Sequence, residues 1–214
     1  MGNPPTRLLP MWRGISSTWT AQIERIGHGA ELFYFGTLAQ RSRQTATTLH
    51  HLLEGRVGRL NLLDLNLRRP YPPPESIRWS MQQATVLKCN DGELSWLADC
   101  FGWRQDLSPA SIAARLQDQF SLDVVFWTRG SQGCVWQAGT DQITAKVPQL
   151  EQEPDADTVG AGDAAAAALA IGLVAGWPPQ KIVHAANLFG AYVASRRGAT
   201  QPLPDWILAQ VLTE

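Results

Sequence analysis

Asp157-Thr158-Val159-Gly160-Ala161-Gly162-Asp163-Ala164 stands immediately ahead of an alanine-rich run that continues to Ala175. Small residues at the mouth of a helix let a ligand come close to the backbone. The N–H groups of a first helical turn lack intrahelical acceptors, and the helix dipole leaves a partial positive charge there. Gly160, Ala161 and Gly162 therefore form a candidate anion hole for a phosphoryl group. Asp163 falls in the first turn beside that hole, where a carboxylate can accept the proton of an attacking hydroxyl. Aspartate is also a frequent helix cap. On physical grounds alone, base and cap stay equally open.

Working outward, apolar runs alternate with helical stretches. Leu32 to Phe35 reads as a buried strand, about Gln40 to Glu54 as a helix, and Leu60 to Leu65 as the next strand. Beyond the break at Pro70 to Pro74, a helix is expected over Ser76 to Gln83 and a strand over Thr85 to Lys88. Helices follow over Asp91 to Asp99 and Ser108 to Phe120, the latter with Ser108 and Pro109 as cap and first-turn residues. Val124 to Thr128, Cys134 to Gln137 and Ile143 to Val147 are short β-prone runs separated by Gly130, Gly133 and Gly139. The remainder is helical: Gly162 to Ala175, Pro179 to Arg196 and Pro204 to Leu212. Strands alternating with helices imply an α/β fold, a mostly parallel sheet with helices on both faces. Residues 1–31, with Pro4, Pro5 and Pro10, form an irregular N-terminal segment with a short helix at Ser17 to Ile26. Residues 32–214 form the α/β domain.

Composition narrows the function. The 214 residues are 44% hydrophobic and 17% charged, enough apolar material for a core. The net charge is −1, and no basic cluster exceeds Arg196-Arg197, so nucleic acid is not an expected partner. Ala164 to Gly176, the longest apolar stretch, is too short to span a bilayer, and no membrane partner is expected. Cys89, Cys100 and Cys134 are too scattered for a disulfide framework or a zinc site and suit reduced thiols in the cytoplasm. His50 and His51 are neighbours that point apart on a helix, which disfavours a shared metal. Met1 to Thr6 fits the loose pattern for N-myristoylation.

Several segments together resemble the ribokinase-like (PfkB) carbohydrate kinases. Asp157 to Asp163 is similar to that family's D-T-x-G-A-G-D signature. The resemblance implies that Gly160, Ala161 and Gly162 hold the transferring phosphoryl group, with Thr158 alongside the nucleotide, and that Asp163 is the catalytic base. Asp64-Leu65-Asn66-Leu67-Arg68 resembles D-x-N-x-R, which implies contacts from Asp64, Asn66 and Arg68 to the phosphoacceptor and the phosphates. Residues i, i+2 and i+4 of a strand share a face, so the three are expected to converge at the strand's carboxyl end. Asn90-Asp91-Gly92-Glu93 resembles N-x-x-E, which implies that Asn90 and Glu93 arrange magnesium through its waters. A capping box would explain the same pair equally well.

Thr128 to Gly133 resembles the nucleotide loop T-x-G-x-x-G, implying ATP contacts from Thr128, Gly130 and Gly133, against the plainer reading of a glycine hairpin. By the same resemblance Asn187 flanks the adenine, and Gly198-Ala199-Thr200 lies by a monovalent-cation site, for K⁺. Phe35 to Ser42 and Asn66 to Pro70 lean towards the fructokinase-like branch. The resemblance implies an ATP-dependent, magnesium-requiring kinase that phosphorylates a sugar hydroxyl.

Members of that family also carry an N-terminal strand-rich half with a Gly-Gly sugar motif and a small β lid. This chain has no Gly-Gly pair, so it is expected to start after that half. Its sheet is then expected to expose an edge that self-association or a partner chain covers. The alternatives to an active sugar kinase are a nucleotide-binding remnant without turnover, as a subunit of a split kinase, and a partly folded fragment.

Overall fold

A computed structural model describes residues 19–54, 60–103 and 106–212. The early prolines, Trp12 and the Met1 to Thr6 pattern lie outside the described residues. Six strands form one sheet: β1 (Leu32–Gly36), β2 (Leu60–Asp64), β3 (Val86–Asn90), β4 (Val124–Thr128), β5 (Cys134–Ala138) and β6 (Asp141–Thr144). Their spatial order is β1-β2-β3-β4-β5-β6. The β1/β2, β2/β3 and β3/β4 pairs are parallel; β4/β5 and β5/β6 are antiparallel. The helices are α1 (Ala21–Gly29), α2 (Arg43–Glu54), α3 (Pro74–Gln83), α4 (Asp91–Cys100), α5 (Pro109–Phe120), α6 (Ala161–Val174), α7 (Pro179–Ala194) and α8 (Asp205–Leu212).

Strand alternation divides the core in two. Leu63, Leu87 and Val125 point to one face, where α2 to α5 supply Leu53, Ile77, Leu97 and Leu116. Leu62, Val86 and Phe126 point to the other, where α6 to α8 supply Leu169, Val183 and Ile207. Both faces being covered, the central strands are mostly apolar, as parallel sheets require, with Asn61, Asp64 and Lys88 the buried exceptions in β2 and β3. The alanines of α6 let it lie close to α7. A Cβ on Gly172 would press into Ile182 and Trp177.

The short helix expected at Ser17 to Ile26 is present as α1, Ala21–Gly29, capped by Thr20, whose Oγ1 accepts from the Ile23 N–H at 3.2 Å; Ser17 and Thr18 lie outside the described residues. Two elements differ from the sequence-based expectation. The stretch read as one helix from Gln40 is a 3-10 turn at Leu38–Arg41 followed by α2. The final strand begins at Asp141 rather than Ile143. Ala138 pairs with Asp141 across a two-residue turn holding Gly139 at φ +57°, so the strand starts at once with exposed polar residues. Among the described residues no helix is long and apolar enough to cross a membrane.

Candidate active site

The N-terminus of α6 is fixed by a stitched turn. Gly160 is its N-cap, left-handed at φ +85°, and a Cβ there would overlap the Ala199 carbonyl. Only glycine meets both conditions without strain. The Asp157 carboxylate accepts from the Val159 N–H at 2.9 Å and the Gly198 N–H at 3.3 Å, tying this turn to the segment after α7. The first-turn N–H groups are thus held in place before any anion arrives. Asp163 occupies the third helical position and is exposed, so capping does not account for it: Gly160 is the cap.

A cleft of about 660 Å³ opens between that helix start and the β4–β5 loop. Thr128, Gly130, Gly133 and Asn90 line one side; Thr158, Ala161 and Gly162 line the other, and Asn187 also lines it. The β4–β5 loop is a glycine hairpin, with Gly130 at φ +55° and Gly133 at φ +80°, and it forms a wall of the cleft. A Cβ at Gly133 would lie 2.7 Å from Val147 Cγ2 and 2.8 Å from Asn187 Oδ1.

Asn187 reaches the cleft with its polar atoms already engaged. Its Oδ1 accepts from the Cys134 N–H at 2.9 Å and the Cys134 thiol at 3.1 Å, while its Nδ2 donates to Ala145 at 2.9 Å. Burial pushes the Cys134 thiol up to about 12, which keeps it a donor. Asn187 therefore ties α7 to β5 and to the chain after β6, and shapes the cleft wall.

Asn90 and Glu93 form the capping box of α4, with Asn90 Oδ1 accepting from the Glu93 N–H at 2.9 Å and Glu93 Oε2 from the Asn90 N–H at 3.0 Å. Glu93 Oε1 also accepts from the Leu67 N–H at 2.7 Å. Both Glu93 oxygens are thus committed to backbone, inside the fold. No group of three metal-ligating side chains converges among the described residues. The pair fits a hydrated magnesium ion only through water and not as direct ligands.

Burial holds the Glu93 carboxyl above its ordinary value, against the pull of its two backbone donors. The folded chain therefore binds this proton more tightly than the unfolded chain, and the contribution of Glu93 to stability falls as pH rises from the unfolded value through the folded one. Glu93→Gln turns one accepting oxygen into an amide that faces an N–H. The expected loss is about 1–3 kcal/mol. Urea unfolding from pH 4 upward should show the gap to wild type narrowing as pH rises.

Asp64, Asn66 and Arg68 do not extend along one strand face. β2 ends at Asp64, and Asn66 turns left-handed at φ +38°, so the alternation stops where the motif begins. Arg68 is exposed, its guanidinium donating to Leu67 O at 3.2 Å. Asp64 is 1% exposed and accepts from Lys88 Nζ at 3.0 and 3.1 Å and from the Tyr34 hydroxyl at 2.8 Å. Burial holds the Asp64 carboxyl above its ordinary value, with Lys88 opposing. Burial, then the field and hydrogen bond of Asp64, keep the Tyr34 hydroxyl protonated, and Asp163 adds to this. Ala161 and Gly162 line the cleft, and Asp163 follows them in the first turn of α6, near enough to Tyr34 and Asp64 for its charge to act on both. Sequence reasoning missed Lys88 and Tyr34. The available signal was a lysine in an otherwise apolar strand, Val86-Leu87-Lys88-Cys89.

Comparison with known proteins shows the family and the fold. The family model described as pfkB family carbohydrate kinase matches residues 7–206. The bifunctional protein HldE of Koribacter versatilis is 32% identical over 145 residues, which are 65% of this chain and 28% of that protein. Among solved structures, aminoimidazole riboside kinase from Salmonella enterica, with aminoimidazole riboside and an ATP analogue bound, superposes with a TM-score of 0.69 at 23% identity. It covers 86% of this chain, which spans 63% of that one. Ribokinase from Thermotoga maritima gives 0.69 at 18% identity, over 89% of this chain and 59% of its own. A nucleoside kinase from Burkholderia thailandensis in complex with inosine gives 0.65 at 23%, over 87% and 58%. These structures share the ribokinase-like α/β fold. With a family match over nearly its whole length, the chain belongs to the pfkB family of carbohydrate kinases.

Proposed function

We propose that this chain binds Mg·ATP in the cleft and transfers the terminal phosphoryl group to a sugar hydroxyl, with Asp163 as general base. The observation that supports this most is the shared cleft: the glycine loop at Thr128 to Gly133 and the start of α6 line one volume, and the exposed Asp163 follows Gly162 in the same helical turn. The nucleotide would lie along Thr128, Gly130, Gly133, Asn187 and Thr158, its phosphates pointing at Gly160, Ala161 and Gly162. The acceptor would approach from the β1–β2 side, near Asp64, Asn66 and Arg68. Its hydroxyl proton passes to Asp163. The acceptor oxygen bonds to phosphorus as the bond to the leaving diphosphate breaks. Fixed first-turn N–H groups stabilise the charge on the transferring group without reorganising.

Magnesium neutralises phosphate charge when bound, and Asn90 and Glu93 would meet its waters. A potassium ion near Gly198 to Thr200 belongs to the same reading. The fructokinase-like choice of acceptor rests on Phe35 to Ser42 and Asn66 to Pro70. β1 pairs only with β2 among the described residues, so its outer edge would take a second copy or a partner chain. A coupled ADP-release assay over a panel of ketoses, aldoses and nucleosides tests the reading, run beside a nucleotide titration. Sugar-dependent ADP release, highest with fructose, is the expected result. Nucleotide binding without release under any acceptor would instead favour a binding subunit.

A further inference from the structure

The segment from Leu65 to Pro70 is held tightly by its backbone, while its polar side chains stay free. The Leu65 N–H donates to Lys88 O at 2.9 Å, which extends the β2/β3 pairing by one residue. The Leu65 carbonyl accepts from the Thr37 hydroxyl at 2.9 Å, and the Leu67 N–H donates to Glu93 Oε1 at 2.7 Å. Arg41 Nη2 donates to Arg68 O at 2.6 Å and to Pro70 O at 3.0 Å. Among the described residues the Asn66 amide, by contrast, has no hydrogen-bond partner, and the Arg68 guanidinium bonds only to the Leu67 carbonyl beside it.

Thr37 and Arg41 belong to one short element. They stand at the two ends of the 3-10 turn Leu38–Arg41, which contributes no buried residue, so apolar packing does not hold it. Gln40 anchors the turn to α3 instead, its Nε2 donating to Ser80 Oγ at 2.8 Å. Thr37 is buried with its hydroxyl on Leu65. Arg41 is exposed, yet one of its nitrogens spans two carbonyls two residues apart and so fixes the turn between them. Between these supports Asn66 is left-handed at φ +38°. Such a conformation persists where the surroundings over-determine it, and residues that adopt it gather at functional sites. A backbone fixed around free polar side chains lowers the ordering cost of binding a ligand to them.

We propose that Thr37 and Arg41 are positioning residues for acceptor recognition: by holding the Leu65, Arg68 and Pro70 carbonyls they fix where Asn66 and Arg68 meet the acceptor. This rests on the acceptor-side reading of Asn66 and Arg68 and adds to it the element that aims them. Both residues act through that segment.

The test sets acceptor kinetics beside nucleotide binding. Arg41→Met keeps the length of the side chain at an exposed position and removes both of its bonds. Thr37→Val is close to isosteric and removes only the donor. With the acceptor that wild type uses best, kcat/KM is expected to fall about 10- to 100-fold in Arg41→Met and roughly 3- to 10-fold in Thr37→Val, as for a lost charged and a lost neutral hydrogen bond. The loss should appear mainly as a higher acceptor KM, with nucleotide Kd from calorimetry unchanged. Thr37→Ser, which keeps the hydroxyl, should recover most of it.

A merely structural role moves other quantities. A partly unfolded preparation lowers kcat and leaves KM alone, and a loosened fold weakens nucleotide binding in parallel. Either pattern, or an unchanged acceptor KM in Arg41→Met, overturns the proposal. If wild type binds nucleotide but releases no ADP with any acceptor, the acceptor reading itself fails, and the proposal falls with it.

Discussion

Asp163→Asn is expected to lower kcat by about 10²–10⁴-fold while leaving nucleotide affinity nearly unchanged. The amide is close to isosteric and sits at the third position of α6, where the helix start depends on Gly160 and the Asp157 turn and not on residue 163. It cannot take a proton from the acceptor hydroxyl. Steady-state kinetics with the best acceptor from the panel, paired with ATP titration, separates the two quantities. A kcat within a few-fold of wild type would make Asp163 a bystander at the helix dipole.

Gly160→Ala should act oppositely, on binding and on the fold. Holding alanine in the left-handed region costs roughly 1–3 kcal/mol. The added methyl would also meet the Ala199 carbonyl, a backbone atom that cannot rotate away. The helix start must then shift, taking the Ala161 and Gly162 N–H groups with it. Thermal unfolding should show a clear drop in Tm, and calorimetry a loss of the phosphate-dependent part of nucleotide affinity. An unchanged Tm with full affinity would show that the turn has room to spare.

The order of elements was legible because each boundary carries its own signal. Ser108-Pro109 starts α5, Gly130 and Gly133 bracket the hairpin, and the apolar runs of β2 to β4 match strands buried on both faces. The start of α6 was legible too, since a glycine ahead of an alanine-rich helix leaves few backbone alternatives. β6 was placed late because an edge strand has no apolar requirement, and its first residues are exposed Asp141 and Gln142.

The D-x-N-x-R segment was misread in its geometry. Nothing in Leu65-Asn66-Leu67 announces a left-handed Asn66, a conformation asparagine tolerates better than most residues but does not advertise. Lys88 stayed hidden for a different reason. A lysine in a strand usually marks a solvated face, and only the strand order places β3 between β2 and β4 with α6 above it. Glu93 shows the reverse: both readings of its motif were open, and the structure shows the capping box together with a further bond to Leu67.

The most direct measurement is a calorimetric titration of the chain with Mg·ATP, set beside the same titration of Gly160→Ala. A cleft built from the Thr128 to Gly133 loop and the α6 N-terminus predicts a single saturable binding event for wild type, markedly weakened in the variant. The absence of saturable heat up to millimolar nucleotide, or equal binding by both proteins, would contradict a phosphate site at Gly160 to Gly162.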